Sequence, residues 1–223
     1  MKKKIINLSI YLFAILFQFI PVFLIPIIPK SFLNIIPINI ILICFDIVLI
    51  VLLFYFYRKE IKEEFNTFKS NIVNILGDNA KYYLIGFIAM VVLNIIVTML
   101  TSKETSENQK LLDNTFEEAP FYIFTIAVLF APFKEEFIYR KAFNNIINNK
   151  TLYCIVSGLI FGLAHIIYSF ESLSDFLFVF PYAALGIGFA FIYNKTKTIF
   201  APIFFHMFHN LVTFIMMIVV SLG

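Results

Sequence analysis

Apolar residues in this chain fall in long unbroken blocks, not in the period of two or 3.6 that half-buried strands and helices show. Blocks at 5–29, 35–57, 82–100, 152–170, 176–193 and 199–222 are each long enough, or nearly so, to cross about 30 Å of hydrocarbon as a helix. A seventh block, 121–133, runs straight into Lys134, Glu135 and Glu136. Alone it covers only about 20 Å, so a crossing there must continue through both glutamates. The pattern predicts an all-α, polytopic transmembrane helix bundle of about seven spans. Between the second and third spans, residues 58–81 place Ile61, Phe65, Phe68, Ile72, Ile75 and Leu76 at helical spacing among charges. That pattern predicts an amphipathic connector along the inner interface. The chain then divides into a two-span hairpin (1–57), the cytoplasmic connector (58–81) and a five-span region (82–223).

Composition agrees with the pattern. The chain is 61% hydrophobic and 14% charged, whereas soluble domains need about 25% charged residues to make a surface. With seven crossings and Met1 inside, 14 of the 17 Lys and Arg residues fall on the inner side; only Lys30, Lys103 and Lys110 fall outside. The positive-inside rule then places the N-terminus in the cytoplasm and Gly223 outside. One crossing more or fewer would move 134–150 to the outer side and spoil the asymmetry. The net charge of +3 therefore reports topology and gives no reason to expect nucleic acid as a partner. The N-terminal Met-Lys-Lys-Lys and apolar run resemble a secretory signal, but Pro21, Pro26 and Pro29 and the lack of a small-x-small cleavage site read as a retained first span. Cys44 and Cys154 sit in different apolar blocks and form no metal-binding pattern. The excess of Ile, Asn, Lys and Phe points to an AT-rich bacterial source, and so to a bacterial cytoplasmic membrane.

Ionisable groups inside a span are costly and mark function by default. Glu136 and Arg140 stand four apart and can pair on one helix face. Glu135 lies about 100° around the helix from Glu136 and has no cationic partner on its own helix. His165 lies well inside its block, after the small residues Gly158, Gly162 and Ala164 that allow close helix approach. His206 and Asn210, again four apart, put an imidazole and an amide side by side; His209 shares that face or points elsewhere. Singly, each has a bland account as a span end or an interhelical hydrogen bond. Jointly they put every histidine of the chain and the only carboxylate pair within a span on three predicted helices inside one window of about 75 residues. If the fourth helix runs to about Ile147, Glu135, His165 and His206 lie about 18, 20 and 13 Å from the inner end.

The ordered set EExxxR (Glu135, Glu136, Arg140), FxxxH (Phe161, His165) and HxxxN (His206, Asn210) resembles the three motifs of the CPBP family. That family joins the type II CAAX prenyl endopeptidases to bacterial bacteriocin-processing, Abi-type membrane proteins. The likeness covers roughly 121–219. It implies an intramembrane glutamic endopeptidase acting on a membrane-associated peptide or protein within the lipid bilayer. By that likeness Glu135 is the general base, activating water together with His165, while His206 and Asn210 stabilise the oxyanion. Glu136, Arg140 and Phe161 support the site. Water is expected to reach Glu135 from the cytoplasmic side.

The expected chemistry needs no cofactor. One alternative is a zinc-dependent form, because Glu135, His165 and His206 make a His2Glu donor set. Another is a non-catalytic scaffold or immunity protein that binds a peptide. A transporter would need polar residues along the first three spans, where only Gln18, Asp46, Asn94 and a few small polar groups stand.

Overall fold

The computed structural model describes residues 2–144, 146–167 and 169–222. Met1 and Gly223, whose sides the charge count assigns, lie outside them. In lipid the backbone must satisfy its own hydrogen bonds, so the apolar blocks fold as helices. These are α1 (Lys2–Leu24), α2 (Ile38–Ser70), α3 (Ile72–Thr101), α4 (Glu107–Glu118), α5 (120–142), α6 (Lys150–Ile166), α7 (Val179–Thr196) and α8 (Phe200–Ser221). Among the described residues, five helical stretches are long and apolar enough to span a membrane: Lys2–Ile27, Ile38–Ser70, Ile72–Thr101, Leu173–Thr196 and Phe200–Ser221. The shorter apolar α6 and the composite α5 complete a polytopic helical bundle.

The centre of the bundle is α7, with 61% of its apolar window buried against 11–17% in the other four long spans. It lies between α6 and α3, and glycines set those contacts. A methyl group added at Gly162 would land on the Val179 carbonyl oxygen, and one at Gly188 would come within 2.8 Å of the Tyr82 carbonyl. Gly162→Ala should therefore destabilise the fold by about 1–3 kcal/mol through overpacking. Gly77→Ala, with nothing within 4 Å, should be neutral or stabilise by about 0.5–1 kcal/mol. Thermal unfolding of the two purified variants checks the contrast.

The connector 58–81 is not a separate element. No helix breaker interrupts 58–70, so the α2 ladder continues beyond the span to Ser70 and turns only at Asn71 (φ −146°, ψ 36°) before α3 begins at Ile72. The apolar face of this overhang packs on protein. Ile61 is buried, and the rings of Phe65 and Phe68 meet Phe200 at the start of α8.

The overhang also ties α1, α5 and the start of α8 together. Lys141, fully buried, pairs with Glu60 and Glu64. The Glu64 carboxylate accepts from the Ile199 N–H at 2.7 Å, and its backbone carbonyl accepts from the Thr198 hydroxyl at 3.0 Å. Lys3 pairs with Glu60 at 3.0 Å, and the Tyr57 hydroxyl donates to Asn7 at 2.9 Å. Just past α3, Lys103 bonds Asp175 and Glu107, and hydrogen bonding to Asp175 holds the lysine above its ordinary pKa. Both cysteines are free, Cys154 buried and Cys44 exposed.

Candidate active site

Pro132 shapes the helix that carries the glutamates. Proline has no N–H, and its ring crowds the carbonyl four residues back. Upstream of it, the turns over Phe124–Phe130 widen to i→i+5 bonding, so that the Ala131 N–H reaches Ile126 O. One step further, that pattern would pair Ala127 O with Pro132, which has no hydrogen to give. The Asn210 side-chain amide takes the place, donating to Ala127 O at 2.8 Å. A second widened stretch, Glu136–Ala142, has side chains inserted at its carbonyls. The Ser157 hydroxyl donates to Tyr139 O at 2.6 Å and the Tyr153 hydroxyl to Arg140 O at 3.3 Å. Widened turns of this kind concentrate at functional sites.

The two adjacent glutamates have different surroundings. Glu136 is completely buried. One of its oxygens accepts from His206 Nδ1 at 2.9 Å, and the other lies 3.0 Å from Arg140 Nε. The second contact is a charge pairing off the hydrogen-bonding line, since neither atom has a hydrogen-bond partner. Arg140, also fully buried, donates to the Ser157 hydroxyl at 3.3 Å and lies over the Phe161 ring at 4.6 Å. The pairing expected from the i,i+4 spacing is present.

Glu135 is 20% exposed at its side chain, and its Oε2 lies 3.8 Å from His206 Nε2 and 3.9 Å from His165 Nε2. These separations exceed a direct hydrogen bond, and Glu135 Oε2 has no hydrogen-bond partner. His165 Nδ1 sits 2.8 Å from the Phe161 carbonyl. A carbonyl only accepts, so Nδ1 carries the proton and the neutral ring presents a lone pair at Nε2. Tyr182 stacks on His165 with ring centroids 4.6 Å apart. The Tyr182 hydroxyl in turn meets Ser106 at 2.8 Å and Asn108 at 3.3 Å. Ser106 caps the N-terminus of α4 through the Gln109 N–H. His209 packs at a steep angle against the rings of Tyr83 and Phe87 and also lines the cavity described below.

A cavity of about 580 Å³ opens beside this group, within the usual range for ligand sites. Glu135, Tyr139, His165, His206 and Asn210 form part of its wall. Its remaining lining comes from α1, the first half of α2, α4, α5 up to Lys134, Ala164 of α6, Tyr182 of α7 and residues 209–217 of α8. Asn108, Gln109 and Leu112 of α4 stand at one end. None of Glu60, Glu64, Lys141 and Ile199 lines the cavity.

Sequence reasoning missed the pair Lys134–Asp46, 2.6 Å apart, both lining the cavity next to Glu135. Lys134 therefore belongs to the span and not to the inner-loop tally, which leaves 13 basic residues inside against three outside. The available signal was Asp46 itself, a lone carboxylate in an apolar block that requires a cation at its own depth. Gln18 also faces the cavity.

As for metal, among the described residues no group of three His, Cys, Asp or Glu side chains is spaced to hold an ion. Zinc bonds of about 2.0–2.1 Å put neighbouring tetrahedral ligand atoms roughly 3.3–3.4 Å apart, shorter than the 3.8 and 3.9 Å separations between Glu135 and the histidines.

Residues 117–212 match the family model described as Rce1-like, Type II CAAX prenyl endopeptidase Rce1-like. That stretch contains Glu135, Glu136, Arg140, Phe161, His165, His206 and Asn210. The chain is 32% identical over 114 residues to "Putative membrane peptidase YdiL" of Bacillus subtilis, covering 50% of this chain and 43% of the relative. It is 28% identical over 162 residues to an uncharacterized protein of Mycoplasma capricolum, covering 68% of this chain and 47% of the relative. The chain thus spans about half the length of the curated relatives it matches. No solved structure matches it.

Proposed function

From residues 117–212 as a segment of the Rce1-like type II CAAX prenyl endopeptidase family, we propose that the protein is an intramembrane endopeptidase using Glu135 as its base. The observation that carries this reading is the convergence of Glu135 Oε2, which has no hydrogen-bond partner, with two histidine Nε2 atoms at a cavity wall. A water between these groups donates one hydrogen to Glu135 and the other to the His165 lone pair, which the Phe161 carbonyl holds in place. As the water oxygen bonds to the scissile carbonyl carbon, Glu135 takes a proton from it. The charge that develops on the carbonyl oxygen meets Nε2–H of a doubly protonated His206 and the second N–H of Asn210. Glu136, bonded to His206 Nδ1, fixes the orientation of that ring. Asn210 is preset for this role because its first N–H already serves Ala127 O. When the C–N bond breaks, Glu135 returns its proton to the leaving amine. Arg140 and Phe161 hold Glu136 and His165 in register.

The substrate in this reading is a membrane-associated peptide or protein, and the setting is a bacterial cytoplasmic membrane. Bacteriocin maturation or immunity and Abi-type roles belong to the same proposal. Zinc remains the alternative chemistry, with Glu135, His165 and His206 as its donors, and no step above runs through it. The test is proteolysis by purified protein in liposomes, together with metal analysis. We expect new amino termini on membrane peptides, substoichiometric zinc, and activity that survives a strong chelator. Loss of activity with chelator and its return with zinc would move the reading to the metal form. Well-folded protein that cleaves no membrane peptide would favour the scaffold or immunity reading.

A further inference from the structure

The central helix α7 carries none of the polar residues that mark the site, yet two of its rings lie against the site's histidines. His165 and His206 each have one ring nitrogen engaged: Nδ1 of His165 by the Phe161 carbonyl, and Nδ1 of His206 by Glu136. A bond at Nδ1 decides which edge of the imidazole faces the glutamates. The tilt of the ring plane is a separate freedom, because the torsion joining an imidazole to its Cβ is broad and roughly two-fold. That tilt aims Nε2, and both Nε2 atoms converge on one oxygen, Glu135 Oε2.

The rings that lie flat on the histidines come from α7. Tyr182 stacks on His165 with centroids 4.6 Å apart and planes 21° apart. Phe189 stacks on His206 at 4.8 Å and 22°. Phe161 also touches both histidines, but obliquely, at 45° and 71°. Seven residues are close to two full turns, so Tyr182 and Phe189 stand on one face of α7, about 10 Å apart along it.

Each of these rings is itself held. Phe189 is fully buried and lies parallel to Tyr83 of α3, with planes 7° apart. The Tyr182 hydroxyl is bonded to Ser106 and Asn108. Between them, Gly186 brings α7 against α6: a methyl group there would come within 2.9 Å of the Phe161 ring and 3.2 Å of Gly158 Cα. The helix therefore cannot back away from the histidines without losing its closest packing.

We infer that Tyr182 and Phe189 are positioning residues, which hold the imidazole planes of His165 and His206 so that both Nε2 atoms face Glu135. They act through the histidines and carry no proton themselves. That this aim serves hydrolysis rests on the peptidase reading above; the aim itself rests on the ring geometry alone.

Nitrogen-15 NMR reads that aim directly. The chain has three histidines, so protein labelled only at histidine and held in lipid bilayers gives few ring signals. Single variants His165→Gln, His206→Gln and His209→Gln assign them. We expect Tyr182→Leu to shift and broaden the His165 signals while those of His206 and His209 stay in place. Tyr182→Phe, which keeps the ring, should retain the wild-type His165 signals. Phe189→Leu should move His206 and leave His165; if loss of that buried ring unfolds the protein, the two Tyr182 variants carry the test. Unchanged His165 signals in Tyr182→Leu, or variants that each move both histidines alike, overturn the inference. On a membrane peptide that the wild type cleaves, Tyr182→Leu should lower kcat on the order of 10²-fold, the scale of a small misplacement, and Tyr182→Phe should restore it. A wild-type kcat in Tyr182→Leu also overturns the inference. The NMR pattern in a protein that cleaves nothing would leave the positioning standing and remove the peptidase reading alone.

Discussion

Glu135→Gln should lower peptide-bond hydrolysis by about 10²–10⁴-fold, the usual contribution of a positioned general base, while leaving the fold intact. The replacement keeps the size of the side chain and removes its ability to accept a proton from water. It should cost little stability because Glu135 Oε2 makes no hydrogen bond and the side chain is partly exposed to the cavity. Proteolysis by the reconstituted variant, set beside its thermal unfolding curve, separates the two effects. Loss of both together would show that Glu135 supports the structure and would remove the argument for its role as base.

The neighbouring substitution should behave differently. Glu136→Gln removes the negative partner of Arg140, and both side chains are fully buried. Breaking a buried pair from one side leaves an uncompensated charge, which costs about 3–5 kcal/mol. It also weakens the contact to His206 Nδ1, which an amide meets less strongly than a carboxylate. The unfolding midpoint and the activity should therefore fall together. Wild-type stability in this variant would contradict the burial argument. Replacing Glu136 and Arg140 together with apolar residues of similar volume should recover stability but not activity, since such swaps are often neutral or stabilising.

What could be read from sequence, and what could not, follows from how far apart interacting residues lie along the chain. The spans were legible because lipid allows few alternatives to long apolar helices. The Glu136–Arg140 pair was legible because i,i+4 neighbours meet on any helix. Glu135, His165, His206 and Asn210 stood out as polar groups where hydrocarbon makes them expensive, and the structure brings them to one cavity wall. The Lys134–Asp46 pair joins residues 88 apart, and Lys141–Glu64 residues 77 apart. No local spacing announces either. Residues 58–81 read as an amphipathic connector, and nothing in their spacing tells that Phe65 and Phe68 meet Phe200. The role of Tyr182 was equally hidden, because it depends on α4 reaching back through Ser106 and Asn108 to a ring stacked on His165.

The central claim, that water activated at Glu135 cleaves a peptide within the membrane, is tested most directly by mass spectrometry. Membrane-associated peptides would be compared between cells carrying the wild-type chain and cells carrying Glu135→Gln at equal abundance. The account predicts at least one peptide present as two fragments with matching new termini in the wild type and as a single intact chain in the variant. Identical peptide sets in both, with each protein folded in the membrane, would contradict it.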